Sequence, residues 1–318
     1  MKKIVILVLM CILTNNKYAQ QGWSVQSLRS FSDIYFINGN VGYATGEGFT
    51  IFKTTNGGES WENSNSGINY EPYTGGGSIY FPDGQTGYYV ASKKTILKST
   101  NSGNSWKSID CGYPLLPSQF LHFTNLYFID SKIGWVIGYL GNINGSPYVG
   151  VILKTTDGGD TWVSKEFSEV FYAVNFTSQS KGYIVGAAGK IYNTNDGGIT
   201  WNEQNIGTNE GVVDIKFSNE STGIAVGMAG SVFITTNGGT NWEIKFNNGA
   251  GLKSLTYAGI STWYAMGNGK LYKSNNNGNT WVLVKEFSDY SINKVFFTTN
   301  MEGWYASTSG GLGKTTDG

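Results

Sequence analysis

Thr54-Thr55-Asn56-Gly57-Gly58-Glu59-Ser60-Trp61 governs the reading of this chain, because the stretch keeps returning. It reappears as Ser99-Thr100-Asn101-Ser102-Gly103-Asn104-Ser105-Trp106 and as Thr155-Thr156-Asp157-Gly158-Gly159-Asp160-Thr161-Trp162. Three further copies carry Asp196 with Trp201, Asn237 with Trp242, and Asn276 with Trp281, and a partial copy begins at Thr315-Thr316-Asp317-Gly318. Each box lies between two strand-like runs, as Thr50-Ile51-Phe52-Lys53 and Trp61-Glu62 do for the first. A hairpin turn explains the composition. The Asn or Asp side chain accepts backbone N–H bonds across the turn, and glycine supplies the positive φ that other residues resist. The tryptophan packs the turn on the sheet.

Two more strands precede each box. The first alternates apolar and aromatic residues: Ile34/Phe36, Ile79/Phe81, Leu126/Phe128, Val174/Phe176, Ile215/Phe217, Leu255/Tyr257 and Val295/Phe297. The second often opens on glycine and an aromatic: Gly42-Tyr43, Gly87-Tyr88, Gly134-Trp135, Gly182-Tyr183 and Gly303-Trp304. Four strands, A to D, repeating roughly every 40–50 residues, mark a propeller blade. The expected fold is an all-β, seven-bladed propeller of four-stranded antiparallel blades. Seven A–B–C sets need seven D strands, and only six follow a box. Gly22-Trp23-Ser24-Val25 reads as the second half of a box with its D strand. The N-terminal strand is therefore expected to complete the last blade and close the ring without a free edge. A chain that continues beyond residue 318 is the alternative explanation of the unfinished box.

Composition agrees. Glycine numbers 45 in 318 residues against 5 prolines, aromatics reach 15%, and charged residues only 14%, so short strands on tight turns fit where collagen or a disordered chain does not. Met1-Lys2-Lys3, the apolar run Ile4–Leu13 and the polar Thr14-Asn15-Asn16 read as a bacterial signal peptide over residues 1–20, with the propeller over 21–318. The run is too short to span a bilayer. Export to the periplasm, the cell surface or the medium follows. Cys11 lacks the small preceding residue that lipid anchoring requires, since Met10 stands there. Cys111 is then alone, and an internal disulfide is excluded. Loss of Lys2, Lys3 and Lys17 from the 22 basic residues leaves 19 against 22 acidic, a net charge of −3. A nucleic-acid-binding surface is not expected.

The box resembles the Asp-box, or BNR repeat, of sialidase-type propellers. The whole unit, a Gly-aromatic strand followed by Lys-Thr-Thr-Asn/Asp-Gly-Gly-x-Thr-Trp, is similar to the photosystem II stability/assembly factor-like propellers, over about residues 22–318. The resemblance implies a structural turn at each box, away from the ligand face, and a protein-binding or assembly module. It also implies an arginine-rich patch for the partner, which Arg29, the single arginine, does not supply.

That single arginine equally excludes the three-arginine carboxylate clamp of sialidases. His122 is the only histidine, so a multi-histidine metal site is excluded and a Ser-His-Asp triad would have to use it. It is expected to flank the third A strand as an ordinary polar residue. Neither a metal nor a cofactor is expected.

Two candidate sites remain. Asp33, Ser78, Asn125, Ala173, Asp214, Ser254 and Lys294 each precede an A-strand pair, and all but Ala173 are polar. They are expected to ring one mouth of the central channel. Asp33 and Asp214 within them are the carboxylate pair of an alternative, glycan-active reading, as hydrolase or lectin. The second site comes from long connections: Ser66–Gly77 with Tyr70, Pro72 and Tyr73; Asp110–His122 with Tyr113, Leu115, Leu116 and Phe120; and Tyr139–Gly150 with Tyr139, Pro147 and Tyr148. Two are D-to-A connections and one is B-to-C, so all emerge opposite the boxes, on blades 1 to 3. An aromatic, proline-stiffened patch there suits a protein partner, with a glycan as the alternative.

Overall fold

The computed structural model describes residues 22–27, 29–64, 66–69, 76–145, 148–289 and 291–318, with only the backbone of Asn205. The leader, Cys11, Tyr70, Pro72, Tyr73 and Pro147 lie outside the described residues. Among the described residues, seven antiparallel four-stranded sheets form a seven-bladed β-propeller. The A strands are Phe31–Phe36, Ser78–Tyr80, Gln119–Phe128, Phe171–Phe176, Val212–Phe217, Ser254–Tyr257 and Ile292–Phe297. The B strands are Gly42–Gly46, Gly87–Ala91, Gly134–Asn142, Gly182–Gly186, Gly223–Gly227, Trp263–Gly267 and Gly303–Ser307.

Ring closure is as the leftover half-box predicts. The N-terminal strand Trp23–Ser27 pairs antiparallel with Gly311–Thr315, the C strand of blade 7, with Trp23 opposite Thr315. Trp23 is buried and meets Phe297 edge-on at 6.0 Å and Phe287 at 5.5 Å. It stands to Phe297 as Trp61 stands to Phe36, and Trp106 to Phe81. Blade 7 thus uses a tryptophan from the other end of the chain as its box tryptophan.

The boxes are built as their residues dictate. The side-chain Oδ1 of Asn56, Asn101, Asp157, Asp196, Asn237 and Asn276 each accepts the backbone N–H four residues on, at 2.9–3.0 Å. The hydroxyl opening each complete box accepts the N–H of the glycine four residues on, as Thr54 does from Gly58 at 2.8 Å. Asp157 and Asp196, bonded to the hydroxyls and amides of Thr161 and Thr200, have carboxyls held far below the usual range.

Blades join through one repeated contact. In every blade but the sixth, the phenylalanine at the end of the A strand stacks on the B-strand aromatic of the blade before, as Phe81 on Tyr43 (4.0 Å), Phe128 on Tyr88 (3.6 Å), Phe176 on Trp135 (3.4 Å), Phe217 on Tyr183 (4.1 Å) and Phe297 on Tyr264 (3.7 Å). The same aromatics donate into the next turn. Tyr43 Oη reaches the Ser102 carbonyl at 2.8 Å, and Trp135 Nε1 the Gly197 carbonyl at 3.1 Å. The glycine that opens most B strands now has a cause. A Cβ on Gly42 would lie 2.5 Å from the Phe36 ring, and one on Gly134 2.3 Å from Phe128. Blade 6 has Tyr257 in place of the phenylalanine, and there Trp263 takes the glycine position. B strands, covered on both faces, are buried along most of their length, while most D strands stand in solvent. The hydrophobic clusters accordingly lie between neighbouring blades, such as Tyr88, Val90 and Ile96 of blade 2 against Leu121, Phe123 and Phe128 of blade 3.

Candidate functional site

The A strands line the central channel, and in five of them a register shift falls just before the candidate channel residue: at Phe31/Asp33, Phe123/Asn125, Phe171/Ala173, Val212/Asp214 and Ile292/Lys294. Such a bulge re-aims the next side chain. Asp33, Asn125 and Asp214 thereby reach the next A strand. Asp33 Oδ2 accepts the Ile79 N–H at 3.1 Å and the Ser78 hydroxyl at 2.9 Å. Asn125 Oδ1 accepts the Val174 N–H at 3.4 Å, Asp214 Oδ2 the Leu255 N–H at 3.0 Å, and Ser254 Oγ the Val295 N–H at 3.2 Å. These bonds tie four of the seven neighbouring pairs of innermost strands together.

Asp33, Ser78, Asn125 and Lys294 border two cavities, one of about 170 Å³ toward the D-to-A side and one of about 260 Å³ toward the boxes. They form a waist within the channel. Asp214 and Ala173 line the first cavity only, and Ser254 is fully buried beside it. Lys294 reaches past Ser254 to Asp214 Oδ2 at 3.3 Å. Burial alone would lower its ammonium pKa, but Asp214 and Asp33 outweigh burial and hold it above the usual value. Burial pushes the Asp33 carboxyl up, against Lys294 and the hydrogen bonds it accepts. A cation therefore stands within the field of both carboxylates of the glycan-active reading, and each carboxylate accepts bonds from two A strands.

A second ring lies two residues further along the A strands. Tyr35, Tyr80, Tyr127, Asn175, Lys216, Thr256 and Phe296 all face the box-side cavity. Strict alternation from the waist residues would have found them.

On the opposite face, blade 3 departs from its neighbours. Its A and B strands, Gln119–Phe128 and Gly134–Asn142, are about twice the usual length, and its C strand begins at Val149. Phe120, His122 and Tyr139 therefore sit in a strand pair that extends the blade, not in loops. Phe120 crosses Gly141, whose Cβ would lie 2.4 Å from the ring. Phe120, Tyr139 and Tyr148 meet pairwise at 5.0–6.5 Å, and His122 stacks on Tyr139 at 5.1 Å. Burial lowers the His122 pKa and raises that of Tyr139.

Tyr113 corrects the loop reading. It is buried between blades 2 and 3, with its hydroxyl donating to Glu166, because Lys94 pins its loop through Asp110 at 2.9 Å and the Tyr113 carbonyl at 3.0 Å. Leu115 and Leu116 beside it are exposed, as are Ile143 and Tyr148. Arg29 lies over the Phe52 ring on blade 1, 5.1 Å from its centre.

A ring of Asp-box blades with a polar waist defines an Asp-box β-propeller. The family model for the photosynthesis system II assembly factor YCF48 matches residues 14–126 and 163–243, more than half of the chain, and the chain belongs to that family. Two solved YCF48 structures are similar. One, of YCF48 bound to D1 peptide, gives a TM-score of 0.71 at 20% identity, covering 93% of this chain and 97% of that one. The other, YCF48 from Cyanidioschyzon merolae, gives 0.67 at 17% identity over 92% and 98%. The WD40 repeats of RRP9 give 0.69 at 9% identity over 94% and 98%, so likeness at this level is one of fold. The search of curated proteins finds no match. Among the described residues no helix is long and apolar enough to cross a membrane.

Proposed function

We propose that this chain is an exported, non-catalytic propeller that binds a protein partner on the face opposite its boxes. The observation that carries the reading is the apolar surface of blades 2 and 3. Leu116 is 64% exposed, Ile143 73% and Tyr148 54%, beside the end of a strand pair that carries Phe120, His122 and Tyr139 in ring contact. Rigid, exposed aromatic and aliphatic side chains give contact area at small entropic cost. Membership of an assembly-factor family, with one YCF48 structure holding a D1 peptide, supports a protein ligand. Export rests on the leader-like residues 1–20. The proposed partner surface is apolar, and Arg29, the single arginine, lies over Phe52 of blade 1.

Affinity capture from an envelope extract tests this. The Leu116→Ala/Tyr148→Ala variant should retain its melting temperature and lose the protein captured by the wild type. Equal capture by both would refute the surface. A glycan screen provides the second arm. Glycan turnover or binding that disappears in Asp33→Asn or Asp214→Asn would favour the glycan-active reading instead.

A further inference from the structure

The box-side half of the channel is chemically lopsided. Blades 1, 2 and 3 contribute Tyr35, Tyr80 and Tyr127, which meet in series at 5.1 and 5.2 Å, and Phe296 of blade 7 extends the wall at 5.2 Å from Tyr35. Tyr35 donates to the Phe81 carbonyl at 2.9 Å, and the Tyr80 and Tyr127 side chains lie against each other. The cavity is therefore offered ring surface on that side. Facing the wall are Asn175, Lys216 and Thr256. Asn175 already accepts the Phe217 N–H at 3.2 Å.

Lys216 is poorly partnered. Its Nζ stands 4.0 Å from Asp214 Oδ1, at the limit of an ion pair. Asp214 is itself occupied by Lys294 at 3.3 Å and by the N–H groups of Ile215 and Leu255. Asp33, the other carboxylate whose field reaches Lys216, already accepts bonds from Ser78, Ile34 and Ile79. Burial and the neighbouring Lys294 lower the Lys216 ammonium pKa against the pull of Asp214 and Asp33, and its donors remain largely unused. A confined ammonium gains most from an anion that supplies lone pairs. Aromatic walls favour a flat ring. A volume of about 260 Å³ lies just below the usual range for ligand pockets, which suits one ring.

We propose that the box-side channel binds a small aromatic carboxylic acid, its ring against Tyr35, Tyr80 and Tyr127 and its carboxylate on Lys216. This site is separate from the blade 3 surface and does not depend on protein capture there.

Titration calorimetry of the purified protein with 4-hydroxybenzoate, 4-hydroxybenzamide and choline tests it. The acid should bind with submillimolar Kd and the uncharged amide at least tenfold more weakly. Lys216→Met should weaken the acid tenfold or more, and Lys216→Arg should retain it. Leu116→Ala/Tyr148→Ala should bind the acid normally. Should Lys216→Met fail to fold, the acid-to-amide ratio on the wild type still decides. No binding of the acid, equal binding of acid and amide, or preference for choline would each overturn the proposal.

Discussion

The rings of Phe36 and Trp304, from the first and last blades, stack with centroids 3.7 Å apart and planes within 17°. Trp304 Nε1 also donates to the Gly57 carbonyl in the first box at 3.1 Å. The seam of the wheel is thus closed by the same aromatic contact that joins its interior blades. Phe36→Ala should cost about 3–5 kcal/mol, the range for a large aromatic lost from a packed core. Urea unfolding would measure it. A loss below about 1 kcal/mol would mean that the seam contributes little and that the remaining interfaces hold the ring.

The opening glycines of the B strands should resist the smallest substitution. In Gly42→Ala the new methyl meets the Phe36 ring at 2.5 Å, and overpacking of this kind costs about 1–3 kcal/mol. Gly84→Ala is the control, because no atom lies within 4 Å of its Cβ position. Thermal melts should separate the two variants. Equal melting temperatures would remove the steric account of the Gly-aromatic motif.

His122 is the only histidine, so the imidazole share of the acid response can be assigned to one residue. Burial against Tyr139 lowers its pKa below the ordinary 6.5, so the unfolded chain takes up the proton first. Its stabilising effect is complete above 6.5 and is lost as pH falls from there toward the folded value. His122→Gln should flatten stability between pH 7 and 5 relative to wild type, read by denaturant midpoints across that window. An identical slope in both proteins would place the acid response elsewhere.

What could be read from the residues follows the range of the interaction. Asn56 with Ser60, and its counterparts, act within four residues, so spacing alone reveals the turn. Trp23 was legible by subtraction, because seven blades need seven D strands. Blade 3 was harder. Gln119–Phe128 alternates buried and half-buried side chains, but prolines nearby at 114 and 117 made its first residues resemble a loop. The burial of Tyr113 depends on Lys94 and Glu166 from other strands, and nothing local to residue 113 announces it. Tyr35, Tyr80, Tyr127 and Lys216 were within reach, two positions beyond residues already singled out. The latching role of Asp33 and Asp214 was not, because a bulge turns them toward partners in the next blade.

Gly22 sits so close to Asp317 that a Cβ on it would lie 2.5 Å from the carboxylate, so one box is shared between the two ends of the chain. Entry and exit therefore coincide at a single turn of the rim. A short linker across that point, with the chain cut instead at any other box, would give a circular permutant with the same neighbours around every sheet. The wheel has a first blade by numbering but none in its mechanics.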